Sequence, residues 1–173
     1  MPINVNFNSN IIMEEKRYTL EEANQHFAIA YNNNIWKLLA KSERNEAENN
    51  QLINLAHASL LHWSESPKCT VVNLQRGEFM IAMVYTYVGK KDAAVDYAKR
   101  CLKLTEDHKG QMKDFDIAYA YLAMSRALAL SGATEAAKEY LKMTTVAGET
   151  IKGEQDKKIF MDDLNSGPWY GLK

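Results

Sequence analysis

Proline is scarce in this chain, with three residues in 173, at positions 2, 67 and 168. The stretch from Pro67 to Pro168 is therefore free of the strongest helix breaker. Cysteine is limited to Cys69 and Cys101, 32 residues apart and neither in a CxxC pair, which excludes a disulfide scaffold and a zinc knuckle and predicts reduced thiols. Charge of one sign is also missing. With 22 acidic and 21 basic residues the net charge is -1, too little to draw in nucleic acid or an anionic membrane. No apolar run reaches the roughly 18 to 20 residues of a membrane span, and "MPINVNFNSNIIMEEKRY" lacks the basic start and apolar stretch of a signal peptide. A cytoplasmic location is the expectation. Glycine-rich phosphate loops, a Ser-His-Asp order and basic clusters interleaved with aromatics are absent as well. Nothing predicts a catalytic group, a cofactor or a metal.

What the chain does have is a 3.6-residue apolar period, and 46% hydrophobic residues are ample for a core. The first helix opens at the Thr19–Glu22 capping box and ends before Arg44, with Asn32, Asn33 and Asn34 weakening its middle. Asn45 and Glu48 cap a second helix to about Trp63, which "SESP" stops. Further helices are predicted over about 70–88, 92–105, 114–130, 134–147 and 154–164, joined mostly by short loops that make successive helices antiparallel. The prediction is an all-α domain over 19–165, with hairpins at about 19–63, 70–105 and 114–147 and a short capping helix. An extension (1–18) precedes it and an aromatic tail (166–173) follows.

Two segments match each other. "GKKDAAVDYAK" (89–99) and "GATEAAKEYLK" (132–142) carry Gly, Ala-Ala, Tyr and Lys at equal offsets. Upstream, Ala82 aligns with Ser125 and Tyr85 with Leu128. Gly89 and Gly132 supply the freedom to end one helix and turn into the next, while Ala94 and Ala137 leave room for a close helix contact.

These positions, with Ala98 and Cys101, resemble the helix-turn-helix signature of the tetratricopeptide repeat. The chain departs from it at Glu78 and Tyr121, where the family places a tryptophan or leucine, at Glu106 and Glu149 in place of the closing proline, and in a repeat longer than the family's 34 residues. Through "AHASLLHW", "QRGEF", "AKRCLKL" and "DFDIAYAY" it is also similar to an uncharacterised bacterial family of such proteins, one with no established activity. The resemblance implies hairpins stacked as a short right-handed superhelix of about seven helices.

Candidate sites follow from the helical wheel. His57 and His62 in "AHASLLHW" are five apart, about 140° around the axis, and cannot chelate one ion from a regular helix. His62 and Trp63 read as packing. His57 shares its face with Asn50 and Asn54 and reads either as a core histidine or as part of a polar lining. Glu78 falls on the apolar stripe of its helix, where a carboxylate must be paired or protonated. Its partner is expected near Arg76, His57 or Asn54. Gly77 beside it suggests a close approach, by a packed neighbour or by a ligand. Asp114 and Asp116 read as helix caps, Cys101 as a packed thiol and Cys69 as the more reactive of the two.

Two functions remain open. In the first, the chain is a non-enzymatic interaction or scaffold module, with Arg76, Phe79, Met83, Tyr119, Leu122 and Arg126 facing a groove that takes a peptide or partner helix; self-association is possible. In the second, His57, Glu78 and Arg76 converge in a pocket that senses or converts a small molecule. Trp169 and Tyr170 on the tail are expected to dock on their own chain or on a neighbour.

Overall fold

The structure, a computed structural model, describes residues 17–173; the expected extension lies outside them as far as residue 16. The described residues form seven α-helices and no strand: α1 (Leu20–Leu39), α2 (Glu46–Ser64), α3 (Val71–Tyr87), α4 (Lys91–Asp107), α5 (Asp114–Ser131), α6 (Thr134–Glu149) and α7 (Glu154–Asn165). Each bound falls within a few residues of the expectation. A 3₁₀ turn at Lys109–Gln111 takes up the slack between α4 and α5. The asparagine run does not interrupt α1.

Local chemistry sets these ends. Thr19 with Glu22, Asn45 with Glu48 and Thr70 with Asn73 form reciprocal capping boxes. Gly89 and Gly132 adopt φ of 74° and 86°, the left-handed conformation that closes a helix at low cost for glycine. The expectation for Asp114 needs correction. It is the first residue of α5, and its carboxylate accepts from the backbone N–H of Lys152, 2.9 Å away, tying α5 to the loop before α7. Asp116 does accept from the Lys113 N–H, at 3.1 Å, but also has a second partner described below.

The helices pack as three hairpins, α1 with α2, α3 with α4 and α5 with α6. Adjacent hairpins join where α2 meets α3 and α4 meets α5, and α3 also touches α5 directly. This is a helical-repeat arrangement, closed by α7 against α5 and α6. The repeated positions behave alike: Ala82, Ala94, Ala98 and Cys101 are buried, as are Ser125 and Ala137. Ser125 Oγ donates to the Ala137 carbonyl at 2.9 Å, so the second copy adds a hydrogen bond where the first has only contact. Gly77 lets α2 approach, since a Cβ there would sit 2.5 Å from Leu60 Cδ1. The close approach is packing.

Candidate binding cleft

"AHASLLHW" lies on α2, with two residues in the core, Leu61 exposed and the rest partly buried. Ala56 and Ser59 are buried, Ser59 Oγ donates to the Ala28 carbonyl of α1 at 2.8 Å, and His62 Nδ1 lies 2.8 Å from Asn24 Oδ1, its ring against those of Phe27 and Tyr31. His57 turns the other way. Its Nε2 is 2.9 Å from the Tyr85 hydroxyl, and its ring meets Tyr85 and Tyr97 edge-on. Burial, and then the Arg100 charge, hold its pKa below the usual histidine range.

Glu78 is not the partner of His57. It is half-buried toward α4, its Oε2 has no hydrogen bond among the described residues, and burial raises its pKa while Arg100 opposes and Asp96 adds to the rise. Arg100 is itself committed to Asp96 at 2.7 Å and to the Tyr97 ring. Arg76, one helical step away, points elsewhere: its Nε and Nη2 grip the two Asp116 oxygens at 2.8 and 3.2 Å. His57, Glu78 and Arg76 therefore do not converge. The recess between the first two hairpins, about 190 Å³, is lined by Asn32, Ser59, Trp63, Asn73, Arg76 and Gly77, with neither His57 nor Glu78.

The thiols are not activated. Burial pushes Cys101 far above its ordinary range and raises Cys69 as well, and of the two Cys69 is the partly exposed thiol. Among the described residues no three His, Cys, Asp or Glu side chains are grouped to hold a metal, and no helix is long and apolar enough to cross a membrane.

The first helices of the three hairpins enclose a cleft of about 210 Å³. Asn32 and Trp36 from α1 form one side, Gln75, Arg76, Phe79 and Met80 from α3 the floor, and Phe115, Asp116 and Tyr119 from α5 the other. Of the expected groove residues, Arg76, Phe79 and Tyr119 line this cleft. The Arg76–Asp116 pair neutralises the floor and is anchored by burial of Asp116, 2% exposed, while the guanidinium lies over Phe115. Gln75, 1% exposed, reaches the Asp116 carbonyl and the Thr105 hydroxyl through Nε2 and leaves Oε1 without a partner. Trp36 stays 40% exposed at the rim. Asn32, Trp36, Gln75, Met80 and Phe115 were not among the groove residues expected from the sequence, and Asp116 was expected only as a helix cap. Asn32 and Trp36, spaced i to i+4 on one face of α1, carried the one signal that pointed to them.

The rest of the groove is covered. Met83 and Leu122 are buried, Leu122 against Phe160, Leu164 and Trp169, and Arg126 is 1% exposed beneath the C-terminal segment. Trp169 docks on its own chain with its ring over the Arg126 guanidinium, 4.8 Å from Cζ to centroid, and the Tyr170 hydroxyl donates to the Thr86 carbonyl of α3. Tyr119 joins the two halves. It lines the cleft, packs on Phe79 and Phe160, and donates its hydroxyl to Asp163 of α7 at 2.6 Å. Compared with protein-family models, curated proteins and solved structures, the chain matches none.

Proposed function

We propose that the chain is a non-enzymatic helical-repeat module that binds a segment of a partner protein in the cleft formed by α1, α3 and α5. The observation that carries this reading is the cleft's lining: four aromatic rings, a methionine, and an arginine already neutralised by its own carboxylate. Such a surface favours an apolar anchor with hydrogen bonds at its edges, the usual composition of a protein contact. Its volume, about 210 Å³, falls below the roughly 300 Å³ at which small-molecule pockets begin and suits one large side chain. Burial, and then its hydrogen bond to Asp163, push the lining Tyr119 hydroxyl well above its ordinary range, so it stays protonated, and His57, Glu78 and Cys101 lie outside the cleft; both weigh against acid–base or nucleophilic chemistry there.

The test is a random peptide library selected against the full chain, with binders measured on the wild type and on Trp36→Ala, a substitution at an exposed rim position. A loss of about tenfold or more on Trp36→Ala supports the reading. Binders indifferent to that change, no binders at all, or native protein that purifies with a bound metabolite alone overturn it.

A further inference from the structure

The covered half of the groove is held by an unusual set of contacts. Arg126 is buried without a carboxylate of its own: the Asp163 side chain takes the Tyr119 hydroxyl, and Arg126 Nη2 instead donates to the main-chain carbonyls of Asp163 and Ser166. Its Nε has no hydrogen-bond partner among the described residues, nor does the buried Nε1 of Trp169. Two orphaned donors in one contact cost stability. The segment is also conformationally specific. Gly167 has φ of 78°, and a Cβ there would meet the Tyr87 hydroxyl at 2.6 Å and the Arg126 guanidinium at 3.0 Å. Tyr170 has φ of 49°, a left-handed conformation that strains a residue with a side chain, and is 45% exposed. Lys173 Nζ also lies over the Trp169 ring, 4.8 Å from its centroid, so two cations contact one ring.

These features describe a ligand in a site: recognition through carbonyls, one ring and a glycine that permits close approach, with an imperfect and strained fit. We infer that Thr86, Tyr87 and Arg126 form a binding site for a Gly-Pro-Trp-Tyr type of peptide segment, filled in cis by residues 166–173, and that a partner carrying such a segment exchanges with the tail. The assignment rests on the groove being a peptide-binding surface. It adds the chemistry of the segment recognised and an occupant that competes for it. Tyr119 links the site to the open cleft, because it lines the cleft and its ring also meets Phe160 of α7.

The experiment uses the synthetic peptide SGPWYGLK, the sequence of residues 166–173, titrated calorimetrically against the full-length wild type and the full-length double variant Trp169→Ala, Tyr170→Ala. Saturable binding to the variant is expected, with wild-type binding weaker by about tenfold or more because the tethered tail holds the site at an effective concentration near millimolar. A peptide with valine in place of its glycine at position 167 is expected not to bind. No saturable binding to the folded variant, or equal binding to both proteins, overturns the assignment. Should the variant not fold, the wild type labelled with 5-fluorotryptophan gives the answer by ¹⁹F NMR. A second Trp169 resonance that grows with peptide supports exchange, and its absence at millimolar peptide overturns it. Library peptides sensitive to Trp36→Ala report on the open cleft whatever SGPWYGLK does, so the two readings fail separately.

Discussion

Glu78 carries a free-energy cost that depends on pH. Burial holds its carboxyl above the ordinary range, so between the unfolded and folded pKa values the native state binds more protons and stability falls as pH rises. Below the unfolded value both states are protonated and the group contributes nothing. Glu78→Gln is therefore expected to be nearly neutral at about pH 4 and stabilising at about pH 7, by about 1 kcal/mol or less because the side chain is half in water. Urea unfolding at the two pH values checks this, and a gain larger at the acid pH would contradict it. Arg76 behaves oppositely. Arg76→Ala leaves the buried Asp116 carboxylate without its counter-ion and is expected to cost about 1–3 kcal/mol, whereas Arg76→Met with Asp116→Leu recovers most of that loss. A double-mutant cycle by denaturation separates the two outcomes. The wheel found Glu78 and Arg76 in the sequence but misassigned their partners. Rotation about one helix axis says which residues face inward and nothing about which helix lies opposite.

Elements were legible because their signals are local. Capping boxes at Thr19 and Asn45, the glycines at 89 and 132 and the small residues at 94 and 137 all act within a few residues of themselves, and each appears in the structure as expected. The place of Asp114 was not legible, because its partner Lys152 lies 38 residues on. Glycine separates two kinds of cost at this scale. A Cβ at Gly89 or Gly132 meets nothing within 4 Å, so alanine there pays only for the left-handed backbone, and the two substitutions should cost the same, about 1 kcal/mol. Gly148 lies within the α6 helix, where alanine has the better propensity, yet its Cβ would fall on the Phe160 ring. Gly148→Ala should therefore destabilise by about 1–3 kcal/mol through overpacking and loosen α7 selectively, seen as faster amide exchange in α7 than in α3. A stabilised Gly148→Ala would mean that α7 does not dock through Phe160.

A stack of hairpins is stabilised mainly between neighbours, so its ends ordinarily respond independently. Here the C-terminal segment breaks that rule, because Tyr170 reaches back to Thr86, 84 residues earlier, and Arg126 joins α5 to the end of α7. The sequence predicted that Trp169 and Tyr170 would dock, since bulky aromatics on a chain end avoid water. It could not show that Trp169 would close over Arg126 and Leu122, because docking of a tail is set by a surface that exists only after the hairpins have packed. Removing residues 166–173 uncovers that surface and takes away the Ser166 carbonyl and the Trp169 ring from a buried guanidinium. Losing the burial of one tryptophan and a charge-assisted hydrogen bond costs about 2 kcal/mol or more. For a chain of this length the melting temperature should then fall by about 4–8 °C. The damage should also travel: amide protection is expected to drop at the C-terminal turn of α3, which the tail touches, while α1 and α2 keep theirs. Leu122, uncovered by loss of Trp169, offers a second copy an apolar surface, so light scattering at rising concentration tests whether the shortened chain associates. A monomer with unchanged melting temperature and unchanged exchange in α3 would mean that the tail lies on the groove without holding it.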